Sequence, residues 1–390
     1  MKIVRGMILG LFLAGCDLDE VKVSSSAAAP PTLTLVETAS VSLPFSSSAK
    51  ADFNGDGRTD LAASRSTIDP TGPSAAVDIF LSDSSNQYPA LPDSTIPLDP
   101  ASADVVAADF DGDGKIDLAV AVFTDLTGGR VELYLGLGDG TFQPPVSACT
   151  GIDAFKLGAG DFDGDGSVDL VVSAGLETRV YPNLGAGTFG APGTLPFPCL
   201  FAVSDVNNDG RSELAVIEWA WDTKVEMYDD LLGTPVLAAT LDLPADQVAT
   251  CLIAAGLGGT GGSDIAVGTL DMITGLSGGF RVYRSNLLGF DPPVDVATLA
   301  VMKLVAADYN GDGRADLVLY REGGVTDVTV AIGQPDGSYT LVAWALSSDP
   351  VLQLVPVPLS GSVFTGILVV SSMQSIILRG STDTSLQPAW

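Results

Sequence analysis

Apolar residues in this chain come in short runs rich in Val, Leu and Ala, each closed by Gly, Pro, Asn or Asp, and no long helical periodicity appears after the first 20 residues. Short runs bounded by turn formers read as β-strands. They group in fours. A strand such as 105–108 precedes an acidic turn and a second such as 118–122 follows it. A third, like 130–135, leads through a glycine turn (GDGTF at 138–142, GAGTF at 185–189) into a fourth.

The acidic turn fixes the period. It reads ADFNGDGRTDL at 51–61, ADFDGDGKIDL at 108–118, GDFDGDGSVDL at 160–170, SDVNNDGRSEL at 204–214 and ADYNGDGRADL at 307–317. The first acids, Asp52, Asp109, Asp161, Asp205 and Asp308, are separated by 57, 52, 44 and 103 residues, so the last gap hides a unit. GLGGTGGSDIAVG at 256–268 keeps the turn glycines and the final acid, Asp264. A further period reaches PLSGSVFTGILVVSS at 358–372, a decayed copy. Seven units of four antiparallel strands predict an all-β, seven-bladed β-propeller over 33–390; a solenoid is the alternative. The last unit has an apparent third strand, 375–379, and then a short polar tail, while 33–41 is strand-like and precedes the first unit. The N-terminal strand is therefore expected to supply the outer strand of the seventh blade, which removes an open sheet edge.

Alternating oxygen donors in a tight turn suit a hard cation, and Ca²⁺ takes six to eight oxygens at flexible distances. The expected ligands are Asp52, Asn54, Asp56, the Arg58 carbonyl and Asp60 in the first loop, and Asp109, Asp111, Asp113, the Lys115 carbonyl and Asp117 in the second. The third offers Asp161, Asp163, Asp165, the Ser167 carbonyl and Asp169. The fourth has Asp205, Asn207, Asp209, the Arg211 carbonyl and Glu213, with Asn208 at a glycine position, and is expected to be weaker. The sixth has Asp308, Asn310, Asp312, the Arg314 carbonyl and Asp316. About five Ca²⁺ sites follow, with the fifth and seventh units empty. The loop enters a strand rather than a helix, so the role expected of the ion is structural.

Charge agrees with this reading. Against 18 Lys and Arg stand 48 Asp and Glu, a formal net charge of −30, and 17 of those acids sit at the expected ligand positions. Such a surface makes nucleic acid an unsuitable partner. The chain has no histidine, which removes Ser-His-Asp and Cys-His catalysis and histidine zinc sites.

The N-terminus carries Lys2 and Arg5 before an apolar stretch, 7–14, too short to span a bilayer comfortably. Leu13, Ala14, Gly15 and Cys16 resemble the lipobox of bacterial lipoproteins. That resemblance implies a signal peptide at 1–15, a lipidated Cys16, a flexible tether at 16–32, and residence at the cell envelope: inner membrane, outer membrane or surface. Cys149, Cys199 and Cys251 lie in apolar surroundings, as free thiols or with two of them paired.

The repeated line and its period resemble the FG-GAP/VCBS repeats of integrin α-chain propellers and of many exported bacterial proteins. The resemblance spans 33–390, with five intact and two degenerate motifs. It implies a monomeric binding or adhesion module, with protein or polysaccharide held on the face opposite the calcium loops, where SRSTIDPTGPSAA (64–76) and EWAWDT (218–223) stand out. Trp219 and Trp221 fit either an aromatic platform there or packing between blades. The chain is expected not to be an enzyme; a lyase-like enzyme on the same propeller and a scaffold subunit of an envelope complex are the alternatives.

Overall fold

The computed structural model describes residues 34–381 apart from 42–46, 70–71, 85–87, 90, 99–100, 124–127, 219–221, 276, 322–326, 346–350, 359–364 and 372–374. Every regular element among them is a strand. No helix among them is long and apolar enough to cross a membrane.

Seven four-stranded antiparallel sheets follow one another along the chain. Their first strands are Ser47–Ala51, Ala101–Ala108, Ala154–Gly160, Cys199–Ser204, Gln247–Ala255, Val301–Ala307 and Val351–Pro358. Successive first strands from blade one to blade seven touch one another, so they form the inner wall of the ring. Blade seven takes its outer strand from Thr34–Val41, which pairs with Ser375–Ser381 from Thr34↔Ser381 to Val41↔Ser375. The closure expected from the sequence is the one observed.

The second strand of each blade explains the apolar runs. In Asp117–Phe123, Leu118, Val120 and Val122 pack against Ala62, Val77 and Ile79 of blade one. Ala119 and Ala121, pointing the other way, pack with Leu157, Leu170 and Val172 of blade three. A strand with period-two side chains and a neighbour on each face needs apolar residues at every position.

Both decayed units form blades: Asp264–Asp271 follows the 256–263 turn, and Val351–Pro358 pairs with Thr365–Ser371. Segment 64–76, expected as a long loop, is instead mostly ladder, since Asp60–Asp69 and Gly72–Phe80 stay paired out to Asp69↔Gly72. β-Branched Thr67 and Ile68 favour that extension. Cys149, Cys199 and Cys251 are free thiols, and burial pushes Cys199 and Cys251 up to about 11. Residues 1–33, with the signal peptide, Cys16 and tether, lie outside the described residues, as do Trp219 and Trp221.

Candidate metal-binding loops

Each loop joins the first and second strand of its blade and is organised by its own side chains. The position-one carboxylate accepts backbone N–H bonds from later in the turn. Asp52 takes them from Asp56 (3.1 Å) and Gly57 (2.7 Å), Asp109 from Gly112 (2.8 Å) and Gly114 (2.9 Å), and Asp308 from Gly311 (2.7 Å) and Gly313 (2.8 Å). Asp161 and Asp205 do the same with Gly166 and Gly210, each at 2.9 Å. Position three accepts from the N–H of position five, and position five from that of position seven, as in Asn54–Asp56 (3.0 Å) and Asp56–Arg58 (2.9 Å). Wrapping N–H groups inward this tightly takes left-handed backbone, supplied by Gly112 and Gly114 (φ 76° and 84°) and, in loop four, by Asn208 (φ 61°).

The ninth-position acid has a separate task. Asp117 is fully buried, and its two oxygens accept from Phe110 N (2.8 Å) at the loop start and Gly136 N (2.7 Å) at the end of the third strand. Asp60 clamps Phe53 and Ser82, Asp169 clamps Phe162 and Asn183, and Asp316 clamps Tyr309 and Gly333 in the same way. Glu213 reaches Val206 N (2.7 Å) and the Asn207 amide (2.8 Å). Blade five, without acids at positions one, three and five, keeps this clamp: Asp264 accepts from Leu257 N and Ser285 N, both at 2.7 Å. Burial raises the clamp carboxyls, to about 6 for Asp169 and Asp316 and about 7 for Glu213, and the loop's other acids push the same way.

A cation with oxygens at about 2.3–2.6 Å needs those oxygens no more than about 5 Å apart. Three loops meet that test. Carboxylate oxygens of Asp109, Asp111 and Asp117 lie within 4.8 Å of one another, as do those of Asp161, Asp163 and Asp169, and of Asp205, Asp209 and Glu213. These all-oxygen donor sets fit a hard divalent ion. Loop four, expected to be the weakest, is thus among the assembled ones. In loops one and six, position three is Asn54 or Asn310, and Arg58 or Arg314 pairs with the fifth-position acid, Asp56 or Asp312. Lys115 holds Asp113 at 2.7 Å in loop two, which leaves Asp111 to complete that cluster.

The loops also join neighbouring blades. Phe53 packs edge-on to Phe142 of blade two, with ring centroids 5.9 Å apart, and Gly140 N donates to the Phe53 carbonyl (3.0 Å). Phe110 and Phe189 repeat the contact at 6.0 Å, and Gly187 N donates to Phe110 (3.1 Å). Further round, Ser212 N donates to the Asp161 carbonyl (2.6 Å) and Ser263 N to that of Asp205 (2.9 Å). An ion that orders one loop therefore orders the hairpin or loop of the next blade. Sequence reasoning missed these position-two aromatics as coupling residues, although their recurrence beside the acids and in the GTF turns was visible.

Residues 52–120, 115–172 and 161–216 match the family described as FG-GAP-like repeat, so the first four loops carry that repeat. No curated protein matches the chain. Among solved structures, the chain is similar to BBS1N, crystallised in complex with ARL6DN and soaked with lead. Identity is 12%, coverage is 91% of this chain and 99% of that one, and the TM-score is 0.59. The WD40 domain of Toxoplasma gondii coronin follows at 13% identity, with 92% and 89% covered and a TM-score of 0.56. Saccharomyces cerevisiae Sqt1 is 13% identical, with 89% and 98% covered and a TM-score of 0.51. At these identities the likeness shows a shared propeller fold.

Proposed function

We propose that this propeller with FG-GAP-like repeats is a calcium-ordered, non-enzymatic protein-binding module, monomeric and held at a bacterial cell envelope by lipid on Cys16. The observation that carries the binding role is the set of apolar tips on the loop-bearing face. Leu184, Leu287 and Leu288 are 70%, 85% and 99% exposed on hairpins between third and fourth strands, with Leu137 exposed on the blade-two hairpin. Apolar side chains held out on ordered turns in an acidic surround suit a protein partner with apolar pockets and a basic rim. The sequence pointed to the opposite face, where Leu176 and Ile273 are exposed tips. The loop-bearing face is favoured because its hairpins in blades two and three rest on the loops that fit a cation.

Capture of a partner from envelope extracts by the calcium-loaded chain tests this. Leu184→Asp with Leu288→Asp is expected to abolish capture, as is chelator, whereas Ile273→Asp leaves it intact. The reverse pattern would move the site to the opposite face. A glycan retained in place of a protein would overturn the partner class, and turnover of acidic polysaccharide would make the chain an enzyme. The anchor is tested by the mass of the N-terminal peptide.

The clamp acids give calcium binding a pH signature. A carboxyl whose folded pKa is raised stabilises the fold below its unfolded value, about 4, and that contribution is lost as pH rises through the folded value. For Asp169, Asp316 and Glu213 the loss falls between about pH 5 and 7. Calcium acts in the opposite sense, since it needs these groups ionised. Chelated protein is expected to melt higher at pH 5 than at pH 7.5, and the gain in Tm from calcium to grow over the same interval. Scanning calorimetry at both pH values decides it; a gain independent of pH would remove the clamp acids from the cation's surroundings.

A further inference from the structure

The inner wall of the ring has a charge balance unlike the rest of the chain. Across the seven first strands, the acids and basic residues are Lys50, Asp104, Lys156 and Lys303. Three of the chain's seven lysines therefore stand on the axis of a protein whose net charge is −30.

Two of them share one level. The first strands of blades two, three, five, six and seven are irregular at a common place, with register shifts at Ser102/Val105, Ala154/Lys156, Ala249/Cys251, Val301/Lys303 and Val351/Gln353. Five residues before each loop's first position stand Ser47, Asp104, Lys156, Leu200, Cys251 and Lys303. Contacts confirm that the first three are neighbours: Ser47 Oγ donates to Asp104, and Lys156 Nζ lies 3.5 Å from Asp104 Oδ2. Asp104 is buried and also accepts from Leu157 N (2.8 Å), so its one charge is already divided.

Lys156 belongs to blade three and Lys303 to blade six, three blades apart and so on opposite sides of a ring of seven. Burial lowers the Lys303 ammonium and the charge of Lys156 lowers it further, so the two cations sense each other across the axis. Lys50 is solvent-exposed, yet its protein surroundings pull it down to about 8. Access to water together with enclosure by protein is what a side chain on the wall of a narrow aqueous passage experiences. Opposed like charges in such a passage repel, and the low-polarity walls concentrate their field.

We propose that the axial channel binds a small oxyanion of the sulfate or phosphate kind between Lys156 and Lys303. The anion replaces a cation–cation repulsion by two charge-assisted contacts and ties blade three to blade six across the ring. It needs no partner protein and no occupied calcium loop, so it is independent of the binding role above.

Equilibrium dialysis of the calcium-loaded chain against radiolabelled sulfate, with chloride holding ionic strength constant, is expected to show one saturable sulfate per chain. Lys156→Met and Lys303→Met are each expected to weaken it at least about tenfold, the usual consequence of losing a hydrogen bond to a charged group. Lys303→Arg should keep it. Lys224→Met should leave it unchanged, because Lys224 pairs with Glu226 on the third strand of blade four. If a methionine variant does not fold, Lys303→Gln, with a polar but uncharged head, carries the same expectation. Absence of saturable sulfate, or parental binding by folded variants lacking both lysine charges, would overturn the proposal.

Discussion

Removing calcium is expected to lower the melting temperature of this propeller by about 15 °C or more. A ligand that binds only the folded state contributes about 2.7 kcal/mol per site at 100-fold excess over its Kd. The three assembled carboxylate clusters then account for about 8 kcal/mol. A domain is stable by only about 5–15 kcal/mol in all, and each kcal/mol moves Tm by about 2 °C in a chain of this size. The loops stand between blades rather than at a free end. Phe53 and Phe110 hold the hairpins of blades two and three, and the Asp161 and Asp205 carbonyls hold the loops of blades four and five. A loop opened by carboxylate repulsion therefore loosens the interface beside it. Calorimetry with calcium and with excess chelator measures the effect. Coincident melting curves would sink the structural role of the ion.

Much of this architecture could be read from spacing. The repeat interval located two decayed units, and a strand-like 33–41 ahead of the first unit identified the closing strand. Both readings depend on backbone periodicity, which survives loss of side chains. The site was less legible, because a carboxylate looks the same in sequence whether it faces an ion or a backbone amide. Asp60, Asp117, Asp169 and Asp316 read as final ligands, yet each is fully buried with both oxygens on N–H groups. The clue was Asp264, retained in a loop whose other acids are gone. Differences between loops were also hidden, since whether Arg58 or Arg314 turns back onto the fifth acid is a matter of side-chain direction. The axial lysines escaped notice for another reason. Singly they look like ordinary strand residues, and only the closed ring sets Lys156 opposite Lys303.

Asp264 also separates the clamp from the ion, and Asp264→Ala is expected to destabilise the protein by about 3–5 kcal/mol with or without calcium. The carboxylate is fully buried and accepts from Leu257 N (2.7 Å), Gly259 N (2.9 Å), Ser285 N (2.7 Å) and Ser285 Oγ (3.1 Å). Alanine leaves three backbone donors without this acceptor, and each buried unsatisfied donor costs about 1–3 kcal/mol. Re-forming the loop around the gap is obstructed: a Cβ on Gly259 would come within 2.1 Å of Asp264 Oδ1 and 2.6 Å of the Ser285 carbonyl, so the turn is built tightly on this one side chain. Asp264→Asn keeps one accepting oxygen and should cost about half as much. Positions one, three and five of this loop are Gly256, Gly258 and Thr260, so no carboxylate set for a cation is lost. Asp169→Ala removes both a clamp and a member of an assembled cluster, and its cost should be larger in calcium than in chelator. Urea unfolding of the two alanine variants in both conditions separates the roles. A cost for Asp264→Ala below about 1 kcal/mol, or one that appears only with calcium, would mean that the ninth acid acts through the ion after all.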